Sequence, residues 1–167
     1  VSTFRKLAEP EAGEDLLIKR DNTFGTPEED AFRRDFTVNA LFYDIATFSV
    51  IDYIDGLRDL ESRTIRTIGD PGVRFREDPV RMLRAVRLAA KLGFEIEPAS
   101  AAPIAPLSGL LSDASSARLF DESLKLFLAG HGERSFVELE RRALLAALLP
   151  DTAAALAADG SGLCRAM

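Results

Sequence analysis

One cysteine, Cys164, and one histidine, His131, occur in this chain of 167 residues, and tryptophan is absent. A single thiol closes no internal disulfide, which points to a reducing, intracellular compartment, the cytoplasm. One thiol and one imidazole also fall short of a zinc set. No apolar run reaches the roughly 18–20 residues of a membrane span, and no charged-then-apolar leader pattern opens the chain, so no membrane partner is expected. The most consequential shortage is of paired carboxylates in a setting fit to hold catalytic metal ions. The sequence offers no metal ligands.

What is present is ordinary globular material: 47% hydrophobic and 29% charged residues, enough for one domain or for two small units sharing an interface. The net charge of −6 is unevenly spread. Residues 1–57 hold 6 basic and 12 acidic groups, residues 58–91 hold 9 and 5, and the remainder 6 and 10. A basic middle between acidic flanks suits a local phosphate site rather than a long RNA-coating surface.

Val1 to Arg5 alternates like a strand without a lead-in, and a strand at a terminus needs a neighbour, so the chain reads as a piece of something longer. Residues 7–23 read as a polar surface loop. Thr26-Pro27-Glu28-Glu29 is a helix start, with Thr26 as N-cap and Glu29 closing a capping box. The helix is expected to run to about Arg34 and to restart near Thr37, with Val38, Leu41 and Phe42 on one side. Ser49–Tyr53 reads as a short strand turned at Asp55-Gly56, and Ile65–Ile68 as another, stopped by Gly69-Asp70-Pro71-Gly72. From Asp78 onward the pattern is helical throughout. Val80–Lys91 runs to a stop at Gly93, and Pro98, Pro103 and Pro106 break a short helix. Ser115–Leu128 places Leu119, Leu124, Phe127 and Leu128 inward. Phe136–Leu149 and Thr152–Ala158 continue as helices. A mixed head gives way to a helical neck near residue 60.

Two stretches carry chemistry. Arg81, Arg84, Arg87 and Lys91 share one helix face, with Asp78 a turn before. Their plain reading is a capped helix with a solvated cationic side. Their functional reading is a base reader: Asp78 accepts from an exocyclic amine while Arg81 donates to the adjacent ring nitrogen, an edge that adenine and cytosine both present. Arg33-Arg34-Asp35 ends one helix and precedes another. It reads equally as a helix terminus complementing the macrodipole or as a phosphate-and-sugar site, with Asn39 orienting Asp35 or satisfying backbone. Arg118 and Glu122, four residues apart, read as an exposed helix pair worth about 0.3–0.5 kcal/mol. His131, beside glycines, reads as a loop residue.

Arg33-Arg34-Asp35-Phe36-Thr37-Val38-Asn39-Ala40-Leu41, then Asp52 through Gly56-Leu57-Arg58-Asp59-Leu60, then Glu77-Asp78-Pro79-Val80-Arg81-Met82-Leu83-Arg84-Ala85-Val86-Arg87 resemble successive motifs of the class II template-independent RNA nucleotidyltransferases. That family contains the tRNA CCA-adding enzymes and the bacterial poly(A) polymerases. The resemblance spans roughly residues 1–150. The run from Leu17 to Ala31 and the run from Ala117 to Leu126 look more like the poly(A) polymerase branch.

The resemblance implies an α+β, predominantly helical fold: residues 1–60 the C-terminal part of a nucleotidyltransferase head, 61–130 a base-reading helical neck, and 131–167 the start of a helical body. It implies that Arg33, Arg34 and Asp35 face the triphosphate and ribose and that Asp78 and Arg81 read the base. Arg84 and Arg87 then steady phosphate or pocket wall, Asn39 belongs to the same nucleotide-binding set, and Arg118 and Glu122 brace the base-reading helix. The implied reaction is attack of an RNA 3′-hydroxyl on the α-phosphate of ATP with two Mg²⁺ ions, that is, polyadenylation in RNA processing and decay. The family's metal-binding Asp-x-Asp strand is expected upstream of Val1, and the basic C-terminal tail of the poly(A) branch is missing. The chain alone is therefore expected to be inactive, and Asp52-Tyr53-Ile54-Asp55 is assigned no metal. Two rivals stand beside this reading: CCA addition to tRNA, and a non-catalytic nucleotide- or RNA-binding module.

Overall fold

The computed structural model describes Phe4, Arg5 and residues 24–159. The proposed surface loop, most of the proposed first strand and Cys164 lie outside the described residues. Among the described residues no helix is long and apolar enough to cross a membrane.

Helix α1 (Pro27–Arg33) begins as its sequence dictates: Thr26 accepts from the Glu29 amide, and the Glu29 carboxylate accepts from the Thr26 amide. The chain leaves α1 extended at Arg34. A short 3₁₀ turn covers Thr37–Asn39, and Leu41–Asp44 then forms strand β1 rather than a second helix. β1 pairs antiparallel with β2 (Ser49–Asp52), register Leu41↔Asp52 to Asp44↔Ser49. The β-rich run Leu41-Phe42-Tyr43 wins there because a hairpin partner follows immediately.

Asp55, at φ 60°, leads into α2 (Gly56–Glu61). Position 56 must be glycine: a Cβ there would collide with the Thr37 carbonyl oxygen. Strand β3 (Thr64–Ile65) pairs in parallel with β4 (Glu95–Ile96), which interrupts the expected all-helical second half. Asp70-Pro71-Gly72, expected as a stop, instead starts helix α3 (Pro71–Glu77). The Asp70 carboxylate accepts from the Val73 amide, and Pro71 occupies the first turn, where its missing N–H costs nothing.

Helix α4 (Val80–Leu92) is the axis of the molecule and stops at Gly93 in the left-handed region, as expected. Met82, Leu83, Ala85, Val86, Leu88 and Ala89 are buried on nearly its whole circumference. Around it pack Phe36, Ile65, Phe75 and Ile96 and, from the helices beyond, Ile104, Leu111, Leu126, Leu139 and Leu145. Those helices are α5 (Pro98–Ala101), α6 (Ile104–Leu107), a 3₁₀ stretch (Ser108–Asp113), α7 (Ser116–Phe127), α8 (Gly132–Arg141), α9 (Leu145–Leu148) and α10 (Pro150–Asp159).

Two expectations for this region are corrected. The inward face of α7 is Glu122 and Leu126 with Leu119 and Phe127 beside them, whereas Leu124 and Leu128 are exposed. The helix expected over Phe136–Leu149 is broken after Arg141, with Ala143 at φ 59°.

A buried polar lock ties these parts together. Asp59 accepts from Thr37 Oγ1 at 2.6 Å and from Arg66 Nε at 3.0 Å, and Arg66 Nη1 also donates to Glu97. Glu97 in turn holds Ser100, whose oxygen accepts the Thr67 amide. Connected polar networks of this kind fix one arrangement of neighbouring elements.

Candidate functional site

Extended backbone after α1 sends successive side chains to opposite sides. Phe36 enters the core completely, and Asp35 faces α4. The segment is pinned by antiparallel bonds: the Thr37 amide to the Arg66 carbonyl (3.1 Å) and the Ile68 amide to the Asp35 carbonyl (3.0 Å).

On α4, Arg81, Arg84 and Arg87 are the residues that escape full burial between Val80 and Ala90, so they form the stripe expected from their spacing. It is not a solvated cationic face. Arg81 Nε donates to Asp35 Oδ1 at 3.2 Å, and Arg84 Nη2 lies 2.6 Å from Asp35 Oδ2. Arg81 Nη1 donates to Glu77 Oε2 (3.1 Å) and to the Arg74 carbonyl (2.9 Å). Nη2 of Arg81 keeps no partner among the described residues, which leaves a fixed fork with one free end. Lys91, at the end of the stripe, is exposed.

Asp78 sits at the turn between α3 and α4 and accepts from Arg118 Nη2 at 2.7 Å. Burial works against its charge, but the hydrogen bond and charge of Arg118, with the nearby Arg81, outweigh it and hold the carboxyl below its ordinary value. The same bond raises Arg118 against the opposing effect of burial. Glu122, only 6% exposed, accepts from Arg87 Nε and Lys125 Nζ, both at 2.9 Å. Burial opposes its charge too, and Lys125 and Arg87 prevail, again lowering the carboxyl. Arg118 and Glu122 are thus not an exposed helix pair. Each reaches across to the α3–α4 unit.

Arg33 and Arg34 turn the other way. Arg33 Nε lies 3.3 Å from Asp30 Oδ1, and Arg34 donates to Asp30 Oδ2 through Nε (3.0 Å) and Nη2 (2.9 Å). The Arg34 guanidinium also lies 4.9 Å over the Phe42 ring and donates to the Asn39 carbonyl at 2.6 Å. Asn39 enters through its backbone rather than through Asp35. The structure therefore gathers Asp35, Asp78, Arg81, Arg84 and Arg118 into one charged cluster, with Arg87 and Glu122 behind it, and places Arg33, Arg34 and Asn39 on the adjoining Asp30 side.

Three participants have no role assigned by the sequence reading. Asp30 stands three and four residues before its two arginines, a helical spacing that announces it. Glu77 directly precedes Asp78. Arg74 pairs with Glu77 three residues on, but the two carbonyls it also holds lie about forty positions away and leave no local signal.

The cluster's chemistry is recognition. Arginine forks match phosphate, and a carboxylate beside a guanidinium matches an amine-plus-acceptor base edge. Metal chemistry does not fit here: among the described residues there is no group of three or more His, Cys, Asp or Glu side chains placed to hold an ion. The Asp52 carboxylate is already taken up by the amides of Ile54, Gly56 and Leu57 at the start of α2. These bonds lower its pKa against the opposing effect of burial.

Comparison with known proteins places these features. Residues 1–66 match the family described as the poly(A) polymerase head domain, and residues 93–156 match one described as the probable RNA- and SrmB-binding site of polymerase A. Poly(A) polymerase I of Salmonella typhimurium (strain LT2) is 53% identical over 138 residues, covering 83% of this chain and 30% of that protein. The CCA-adding enzyme of Enterococcus faecalis is 43% identical over 116 residues, 68% of this chain and 28% of that one. Among solved structures, a tRNA nucleotidyltransferase complexed with a primer tRNA and an incoming ATP analogue superposes with a TM-score of 0.72 at 31% identity, over 78% of this chain and 40% of that one. The chain spans about 30% of the length of the poly(A) polymerases it matches. With its charged cluster assembled around α4 and both family matches flanking it, the chain belongs to the poly(A) polymerase and CCA-adding family of template-independent RNA nucleotidyltransferases.

Proposed function

We propose that this chain carries the nucleotide-reading part of a polynucleotide adenylyltransferase, which adds AMP from ATP to RNA 3′ ends. The observation that carries the reading is the Asp35 carboxylate shared by Arg81, 46 residues on, and Arg84, which brings the Arg33–Asp35 corner and the Asp78–Arg81 turn to one place. In this reading Asp78 accepts from the exocyclic amine of the base and the free Nη2 of Arg81 donates to the ring nitrogen. Arg84 and Arg87 hold the wall, and Arg33 and Arg34 exchange Asp30 for phosphate when the nucleotide tail arrives. Residues 1–60 hold the tail and residues 61–130 read the base. Arg118 and Glu122 keep Asp78 and Arg87 in place.

The two Mg²⁺ ions of the family's reaction find no donor set among the described residues, and no step here is routed through them. The higher identity to poly(A) polymerase I than to the CCA-adding enzyme favours ATP alone. The Asp78–Arg81 pair itself suits both A and C.

Titrating ATP against the chain and its Arg81→Ala variant tests the pocket. The expectation is a loss of affinity of about tenfold or more, and equal affinities reject the base-reading role. Nucleotide choice by the whole protein tests the activity: sustained AMP addition to a generic RNA supports polyadenylation, and CMP addition to a tRNA end overturns it.

A further inference from the structure

The charged cluster is held from beneath by a residue that nothing in the recognition chemistry requires. Arg74 is 7% exposed, so it presents no face to a ligand. Its Nη2 donates to two backbone carbonyls at once, those of Arg33 and Arg34, each at 2.8 Å. Nη1 donates to Glu77 Oε2 at 3.1 Å, the oxygen that also receives Arg81. The carbonyl of Arg74 accepts from Arg81 Nη1. The loop is closed: the end of α1, Arg74, Glu77, Arg81, Asp35, and back to the end of α1.

Resting on the nucleotide-pocket reading, we propose that Arg74 is a positioning residue that clamps the Arg33–Asp35 corner to the base-reading turn, so that nucleotide tail and base are gripped in a fixed relation. The last carbonyls of a helix lack intrahelical partners, and α1 ends at Arg33 with the extended Arg34, not a glycine, as its C-cap, so the guanidinium supplies the missing donors. A cation there also meets the negative end of the helix. The planar fork serves the carboxylate through Nη1 and the two carbonyls through Nη2, whereas a lysine offers its donors from a single nitrogen. The arrangement is held against resistance. Burial, and then the charge of Arg81, push the Arg74 guanidinium below its ordinary value, and its enclosed Nε has no partner.

The test uses Arg74→Lys in a Cys164→Ser background, with spin labels placed at Phe32→Cys and Lys91→Cys, both exposed positions outside the cluster. Arg74→Lys is expected to keep its helical circular dichroism, broaden the distance between labels and weaken ATP binding about tenfold. Combined with Asp35→Asn, it should weaken ATP binding little further than Asp35→Asn alone, because both changes open the same loop. An unchanged distance distribution, or fully additive losses, overturns the proposal. If the unsubstituted chain binds no ATP, the nucleotide reading fails while the distance measurement still judges the clamp. Should the lysine variant not fold, Arg74→Gln, which keeps two N–H donors without charge, takes its place under the same criteria.

Discussion

Asp35 and Phe36 show how much two adjacent residues decide. One goes to the charged stripe of α4, the other vanishes into the core, and the extended backbone between them makes the split automatic. Phe36 is therefore the anchor of the recognition corner as well as a core residue. Replacing it with alanine removes a fully buried ring, and we expect a loss of about 3–5 kcal/mol in urea denaturation, with Phe36→Leu costing far less. Asp78 was legible from its place before a proline at a helix start. Its partner was not: Arg118 lies 40 residues on and reads locally as half of a surface pair.

Among the elements, α4 matches its sequence pattern closely, because a helix buried on all sides but one needs apolar residues everywhere except along a single stripe. The short elements were the poor readings. Leu41–Asp44 became a strand and Pro71–Glu77 a helix, since a hairpin partner and an aspartate cap outweigh weak periodicity over four to seven residues. The misplaced face of α7 has the same origin. Leu124 and Leu128 are apolar and lie outward, while Glu122 lies inward because Arg87 and Lys125 neutralise it. Between α8 and α9 the alanine at position 143 holds φ 59°, where glycine carries no penalty. Ala143→Gly should stabilise the chain by about 0.5–1 kcal/mol, read as a raised urea midpoint at constant slope.

At the level of the whole chain, the net charge of −6 says little about the site, because the cations that matter are paired inside it. The pairing makes stability depend on acid. Asp78 and Glu122 both sit below their ordinary values when folded, so their contribution is complete above the unfolded value of about 4 and disappears as pH falls through the folded one. Thermal melts should therefore be flat near neutrality and drop below about pH 4. Asp78→Asn should be less stable at pH 7 and show a shallower drop, and parallel curves for the two proteins would contradict the assignment.

Caps, helix stops and the apolar stripe of α4 are written in the sequence because each depends on neighbours within one or two turns, where residue type sets backbone preference. The meeting of Asp35 with Arg81 and Arg84, of Arg118 with Asp78, and of Arg74 with two distant carbonyls is not written there. Ion pairs between elements form only where the packed core has already set the distance and angle between helices, and no local spacing carries that information.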